Sequence, residues 1–224
     1  MTFKEEMKER TEVIEKLLVK YLPKAEGYQS QIMEAMEYSV MAGGKRLRPM
    51  LMQETYRLFG GEGKEIEPFM AAMEMIHTYS LIHDDLPAMD NDDLRRGMPT
   101  NHKKYGEAIL AGDTLLNEAM SLMMSFSLRN GEGALKAAVE IAEAAGPEGM
   151  IGGQVVDIVS EGKKVSKDVL NYMHLKKTGE LIRVSVVVGA ILAGANEDDK
   201  NKLNEFGQKL GLVFQIKDDI LDVE

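Results

Sequence analysis

Cysteine is absent from this chain of 224 residues, which excludes disulfide bonds and catalysis by a thiol nucleophile. Long apolar runs are absent too, and the longest candidate, residues 184–192, falls short of the roughly 20 residues that a membrane-spanning helix needs. Residues 1–10 are charged and lack the apolar core of a signal peptide. We therefore expect a cytoplasmic protein without a membrane anchor.

Basic residues are in the minority, with 27 Lys and Arg against 37 Asp and Glu, and the formal net charge is −10. Nucleic acids and anionic membranes bind basic surfaces, so neither is an expected partner. Hydrophobic residues make up 44% of the chain and charged residues 29%. Together with the length, this composition predicts one soluble globular domain over residues 1–224.

Strict alternation of polar and apolar residues is lacking, so we predict an all-α fold. The predicted helices cover residues 2–22, 32–42, 49–60, 68–86, 106–128, 134–145, 147–159, 167–193 and 197–224. Thr2 and Glu5 form the sequence pattern of a capping box at the start of the first helix. The β-branched segment 184–188 could be taken for a strand, but its length with its flanks favours a buried helix.

Two acidic clusters follow apolar helical segments. They contain Asp84, Asp85 and Asp90 in the first, and Asp218, Asp219 and Asp222 in the second. Grouped carboxylates at a helix end repel each other and oppose the helix dipole, so a cation is expected beside them. Asp218 and Asp222 share a helix face. Either cluster alone also fits a solvated loop or a calcium site, whereas the pair favours Mg²⁺, which combines a few carboxylates with substrate phosphates.

Basic residues stand next to glycines at three places in this acidic chain. They are Lys45 and Arg48 after Gly43 and Gly44, Arg95 and Arg96 before Gly97, and Lys176 and Lys177 before Gly179. Arginine and lysine bind phosphate well. Each group alone could instead pair with the aspartates. Combined with two acidic clusters, the three groups favour a diphosphate substrate.

These motifs resemble those of the trans-isoprenyl diphosphate synthases, the polyprenyl synthetase family, and most closely its bacterial farnesyl diphosphate synthases. The resemblance covers nearly the whole chain. It rests on Gly43 to Pro49, Ser80 to Asp90, Arg95 to Gly97, Gly153 to Asp157, Lys177 to Gly179 and Phe214 to Asp222. The resemblance implies an isoprenoid-synthase-type helical bundle around a central apolar substrate cavity. It also implies a homodimer, which the Met-rich segment 115–128 independently favours because it is very apolar for an exposed surface.

The resemblance also implies a role for each motif residue. Asp84 and Asp90, supported by Asp85, would hold two Mg²⁺ ions, and Asp218 a third, with Asp219 and Asp222 close by. The diphosphate of isopentenyl diphosphate would lie on Lys45, Arg48, His77 and Arg96. The allylic diphosphate would lie on Arg95, Lys177 and Gln215, with Thr178 beside the reacting carbon. From its apolar neighbours alone, His77 would be read as a core residue.

The implied reaction is the Mg²⁺-dependent condensation of isopentenyl diphosphate with dimethylallyl or geranyl diphosphate to farnesyl diphosphate. Tyr79 and Ser80, five and four residues before Asp84, would form the floor that limits product length, although Tyr79 could simply be a core residue. The alternatives are a geranylgeranyl diphosphate synthase, a class I terpene cyclase and a non-catalytic homologue. The second acidic cluster, with Lys45 and Arg48, disfavours the last two.

Two departures from the family pattern accompany the resemblance. The chain stops two residues after Asp222, where the family continues with further helices that include a basic segment. We therefore expect a single domain that lacks its usual C-terminal helices. The stretch 127–133 is also shorter than usual, which affects the local surface and not the site.

Overall fold

A computed structural model of the chain describes residues 2–221, except for the side chains of Asp218, Asp219 and Leu221. The backbone forms two compact units. The first unit contains residues 2–50 and 67–125, and the second contains residues 51–66 and 126–221. No helix in the described part of the chain is long and apolar enough to cross a membrane.

The described chain is almost entirely helical, which confirms the predicted fold class. The helices are α1 Phe3–Tyr21, α2 Ser30–Val40, α3 Leu47–Leu58, α4 Glu67–Asp84, α5 Asn101–Lys104, α6 Ala108–Asn130, α7 Glu132–Ala145, α8 Met150–Ser160, α9 Lys167–Met173, α10 Glu180–Leu192 and α11 Glu197–Leu221. A π-helix, His174–Gly179, joins α9 to α10. The chain is therefore helical throughout residues 167–192, as predicted, but the π turns within this segment were not predicted.

One short hairpin was not predicted. Strand β1, Leu94–Arg95, pairs antiparallel with strand β2, Met98–Pro99. Arg96 and Gly97 between them both have positive φ, at 54° and 79°. Two-residue hairpin turns of type I′ require this geometry at both central positions. Strands of two residues are too short to produce the alternating pattern from which a strand is recognised.

The first unit is built around α4, against which α1 and α2 pack. Most residues of α4 from Pro68 to Ile82 are buried, so the helix is apolar on nearly all sides. The predicted capping box of α1 is confirmed. The Glu5 N–H donates to Thr2 Oγ1 at 3.3 Å, and the Thr2 N–H donates to Glu5 Oε2 at 2.7 Å.

In the second unit, α10 packs against α7 and α11. Its β-branched residues Val184, Val186 and Val188 are buried within the helix, which confirms the interpretation of that segment as a buried helix. Two glycine contacts bring further helices onto the π-helix. A Cβ on Gly153 of α8 would lie 2.1 Å from the Lys177 backbone nitrogen, and a Cβ on Gly211 of α11 would lie 2.7 Å from Gly179 Cα. The backbones therefore approach more closely than any side chain allows.

We predict that Gly153→Ala destabilises the protein, because its added methyl group would overlap the backbone of Lys177. Overpacking of this kind costs roughly 1–3 kcal/mol, and urea unfolding measures it. Gly133→Ala in α7 is the matched control. No atom lies within 4 Å of its added carbon, so the helix preference of alanine should stabilise that variant by up to about 1 kcal/mol. Equal stability of the two variants would contradict the close contact.

Candidate active site

The acidic end of α4 turns back on itself. The helix ends at Asp84, and the Asp90 N–H donates to the Asp84 carbonyl oxygen at 2.9 Å. The Asn91 N–H donates to the Leu86 carbonyl oxygen at 3.1 Å, with Asn91 in the left-handed conformation at φ 55°. The helix cannot continue to Pro87, because proline disfavours helical geometry at the residue before it, Leu86. The backbones of Asp84 and Asp90 are therefore adjacent.

Asp85 is held by the hairpin. Its carboxylate oxygen Oδ1 accepts from Arg95 Nε at 2.6 Å and lies 2.5 Å from Arg95 Nη2. Burial raises the pKa of Asp85, and the guanidinium of Arg95 opposes that rise. Arg95 also lies 3.7 Å from Asp92. The structure thus shows Arg95 paired with an aspartate, which was the alternative to phosphate binding. This ion pair connects β1 to the end of α4.

Three guanidinium groups, called here the arginine cluster, surround one buried carboxylate. They belong to Arg46, Arg48 and Arg96, and the carboxylate is that of Glu74 in α4. Arg46 Nη1 donates to Glu74 Oε1 at 2.7 Å, and Arg96 donates to the Gly43 carbonyl oxygen. Burial lowers the pKa of both Arg48 and Arg96, and Glu74 opposes this.

His77 lies against this cluster in a defined state. Its Nε2 is 3.3 Å from Arg48 Nη1. Burial, followed by the positive charges of Arg48 and Arg96, lowers the pKa of His77 well below the usual 6.5. The ring is therefore neutral at neutral pH. Since a guanidinium can only donate, Nε2 must accept, and the ring proton belongs on Nδ1.

A second group of site residues lies in the second unit. Lys177 lies in the π-helix, and its Nζ is 2.6 Å from Asp157 Oδ2 of α8. The close packing at Gly153, four residues before Asp157, allows this ion pair. Gln215 is one helical turn after Gly211 on α11, on the side that packs against the π-helix. π-Helices are rare and frequently occur at functional sites.

Comparisons with known proteins identify the family to which the chain is similar. A family model described as polyprenyl synthetase matches residues 29–224. A farnesyl diphosphate synthase of Geobacillus stearothermophilus is 47% identical over 227 residues, which cover 97% of this chain and 74% of that enzyme. The large subunit 1 of a heterodimeric geranylgeranyl pyrophosphate synthase of Arabidopsis thaliana is also 47% identical, over 96% of this chain and 59% of that protein.

The solved structure of an FPP/GFPP synthase from Zymomonas mobilis superposes with a TM-score of 0.92 at 37% identity, covering 98% of this chain and 81% of that one. The chain belongs to the polyprenyl synthetase family. The predicted isoprenoid-synthase fold is thereby confirmed, since the solved prenyl synthases share it.

Oxygen ligands at the first acidic cluster suit the Mg²⁺ expected of a polyprenyl synthetase. Asp84 and Asp90 come from adjacent backbone positions, while Asp85 is already paired with Arg95. Among residues 2–217 and 220, no group of three or more His, Asp or Glu side chains is arranged as a metal site. The side chains of Asp218 and Asp219, and all of Asp222, lie outside the described residues, so the second cluster stays a prediction.

The floor predicted for the substrate cavity has one unusual feature. Tyr79 is 5% exposed, and its hydroxyl has no hydrogen-bond partner within the described structure. Burial raises the pKa of Tyr79 to about 12. Its ring meets that of His83 edge to face at 5.7 Å. Ser80, by contrast, uses its hydroxyl within the helix, since Oγ donates to the His77 carbonyl oxygen at 2.8 Å.

Sequence reasoning assigned no role to Arg46, Glu74 or Asp157. Glu74 carried a signal, because it is a lone charge among buried residues of α4 and such a charge needs a partner. Arg46 stood in the same motif as Lys45 and Arg48, but nothing in the sequence indicated that it turns inward while Lys45 is exposed.

The neutral state of His77 predicts a pH dependence of stability. The folded pKa lies below the unfolded value of 6.5, so between these values the unfolded state binds more protons. The contribution of His77 to the free energy of unfolding should therefore be fully present above pH 6.5. It should be lost as the pH falls below 6.5, by at most about 1.4 kcal/mol per pH unit. Urea unfolding between pH 5 and 8 should show a shallower slope in His77→Gln. An unchanged slope would mean that His77 titrates normally.

Proposed function

We propose that this polyprenyl synthetase condenses isopentenyl diphosphate head to tail with dimethylallyl and then geranyl diphosphate, giving farnesyl diphosphate and diphosphate. The observation that carries the proposal is the pairing, within one compact unit, of the arginine cluster with the acidic end of α4. Cations suit the diphosphate of one substrate, and carboxylates suit the metal on the other. The two related synthases support this reaction class, and their different names leave farnesyl and geranylgeranyl products as the two candidates.

In this proposal, Lys45, Arg48 and Arg96, with His77 beside them, bind the diphosphate of isopentenyl diphosphate. Lys45 is exposed, and Arg48 Nε is buried without a hydrogen-bond partner in the described chain. A buried donor without a partner is costly, and a phosphate oxygen would satisfy it. Neutral His77 holds one Arg48 nitrogen without adding positive charge, which fixes the direction of the guanidinium.

The allylic diphosphate would be bound by the metal ions of the acidic clusters and by basic and polar side chains. Asp84 and Asp90, with Asp85 in support, would hold two Mg²⁺ ions, and Asp218 a third with Asp219 and Asp222 nearby. Bound magnesium would neutralise negative charge on the leaving diphosphate. Lys177, Arg95 and Gln215 would add fixed positive charge and hydrogen bonds, with Thr178 beside the reacting carbon. The ion pair with Asp157 would hold Lys177 in position.

The reaction needs no protein nucleophile. The allylic C1–O bond breaks and its electron pair leaves with the diphosphate. The isopentenyl double bond attacks the allylic carbon, which forms the new C–C bond. A proton then leaves C2 of the former isopentenyl unit and restores a double bond, with the departing diphosphate as acceptor. Breaking the C1–O bond leaves an allylic cation, which water would capture. The cavity must therefore be apolar and exclude water, and the apolar faces of α4 suit the wall of such a cavity.

A product assay tests the proposal. The protein is incubated with Mg²⁺, labelled isopentenyl diphosphate and dimethylallyl or geranyl diphosphate, and the dephosphorylated products are separated by chromatography. We expect mainly farnesol. A twenty-carbon alcohol would favour the geranylgeranyl alternative, and a hydrocarbon made without isopentenyl diphosphate would indicate a cyclase. No product from any pair would contradict the proposed function.

The two substrates are proposed to bind to different Lys and Arg residues. Substituting one of these residues should therefore raise KM for one substrate and not for the other. Arg48→Ala should raise KM for isopentenyl diphosphate about tenfold or more and change KM for geranyl diphosphate little, since each lost charged hydrogen bond costs roughly 1.5–3 kcal/mol. Lys177→Ala should do the reverse. Lys20→Ala serves as control, because Lys20 pairs with Glu67 away from the motifs. Steady-state kinetics with each substrate varied in turn measures both constants. Equal effects on both KM values would rule out the division.

Tyr79 should set the product length. We expect Tyr79→Ala to shift products to twenty carbons or more, because it removes the ring proposed to stop the growing chain. Tyr79→Phe is the matched control. It keeps the ring and removes a hydroxyl without a described partner, so its products should stay at fifteen carbons. Chromatography of the products measures the shift, and farnesol alone from Tyr79→Ala would show that Tyr79 is only a core residue.

A homodimer through α6 belongs to the same proposal. Ile109, Leu110 and Met124 of this helix expose more than half of their surface, and exposed apolar surface of this kind favours association. Light scattering at micromolar concentration should give twice the chain mass, and a stable monomer would contradict the dimer. The cytoplasmic location and the single domain remain predictions.

A further inference from the structure

Arg46 adopts a backbone conformation that few residues adopt. Its φ is +48°, in the left-handed region, although it is not glycine. An L-amino acid there is disfavoured by roughly 1–2 kcal/mol, so its surroundings must hold it. They do so through the side chain, which is fully buried. Nη1 donates to Glu74 at 2.7 Å, Nη2 donates to the Val40 carbonyl oxygen at 2.5 Å, and Glu15 of α1 lies 3.5 Å away.

The backbone conformation of Arg46 affects where the side chains of Lys45 and Arg48 lie. Arg46 stands directly before α3, between Lys45 and Arg48. The turn before α3 contains three residues with positive φ, namely Gly43, Gly44 and Arg46. It leaves Lys45 exposed, while Arg46 is buried and Arg48 lies 3.3 Å from His77. Without the contacts of the Arg46 side chain, the turn would relax toward negative φ, and Lys45 would point elsewhere.

Glu74 also balances charge in this region. Its side chain is only 3% exposed, and it interacts electrostatically with Arg48 and Arg96 as well as with Arg46. Three guanidinium groups around one site repel each other. The Glu74 carboxylate offsets that repulsion when no diphosphate is bound, and Glu15 adds a second, more exposed carboxylate.

We propose that Arg46 and Glu74 are positioning residues that hold the turn before α3, so that Lys45, Arg48 and Arg96 converge on one diphosphate. Neither residue needs to touch the substrate. Arg46 acts through the turn, and Glu74 acts through Arg46. The inference rests on the proposed function only in naming isopentenyl diphosphate as the ligand, since inorganic diphosphate should use the same groups.

The test variant is the double substitution Arg46→Met and Glu74→Leu, which removes both charges and keeps apolar volume. Replacing a buried ion pair in this way is often neutral for stability, so the variant separates positioning from folding. Glu67→Gln is the matched control, since it weakens a different ion pair of α4, that of Glu67 with Lys20 of α1 at 2.6 Å. Glu74→Gln is the conservative variant, because its amide oxygen can still accept from Arg46.

For the double variant we expect KM for isopentenyl diphosphate to rise about tenfold or more, as for misplaced binding groups, with KM for the allylic substrate nearly unchanged. Calorimetry should show the same loss of affinity for inorganic diphosphate without Mg²⁺. Glu67→Gln should stay close to wild type. Glu74→Gln keeps the hydrogen bond to Arg46 but loses the negative charge beside the three guanidinium groups, so its KM should lie between those of the wild type and the double variant. Wild-type KM and diphosphate affinity in the double variant would overturn the proposal, as would an equal loss in Glu67→Gln.

A second variant covers the case in which the double variant does not fold. Arg46→Lys keeps the charge, but one ammonium group cannot span Glu74 and Val40 as the guanidinium fork does. It should weaken diphosphate binding in part, and unchanged binding would overturn the proposal. Calorimetry with inorganic diphosphate also distinguishes the two failures. If the wild-type protein has no synthase activity but still binds diphosphate through this turn, the proposed function is contradicted. The positioning role of Arg46 and Glu74 then remains intact.

Discussion

The buried ion pair between Glu74 and Arg46 is the interaction on which the proposed diphosphate site of the first unit depends. Breaking one side of such a pair leaves an uncompensated buried charge, which costs about 3–5 kcal/mol. Here the pair also fixes a left-handed residue and offsets the repulsion among three guanidinium groups. Arg96 reaches the same loop from the hairpin by donating to Gly43, so the hairpin, the loop and α4 are joined by charge and hydrogen bonds.

In the second unit, Lys177 is positioned by a different constraint, the close packing of backbones. There, glycines at 153 and 211 let two helices approach the π-helix to distances that a Cβ would forbid. The result is a short, partly buried ion pair between Lys177 and Asp157. Shape and charge thus play different parts in the two units. Electrostatics holds the arginines, whereas backbone packing holds the lysine.

The sequence predicted the helices and the capping box of α1, because these follow from periodicity and capping residues. It did not predict the π-helix, since π turns contain ordinary helix-forming residues. It missed the β1–β2 hairpin, whose strands are too short for alternation. The pairing of Arg95 with Asp85 and the inward direction of Arg46 depend on side-chain contacts between distant segments, which no local pattern contains.

The central claim is that Lys45, Arg48 and Arg96, and not the acidic end of α4, bind the diphosphate of isopentenyl diphosphate. The most direct measurement is calorimetric titration of isopentenyl diphosphate into the protein without Mg²⁺. The account predicts one site per chain, an affinity that falls with rising salt, loss of binding in Arg48→Met and normal binding in Asp84→Asn. Unchanged binding in Arg48→Met, or loss of binding in Asp84→Asn, would contradict it.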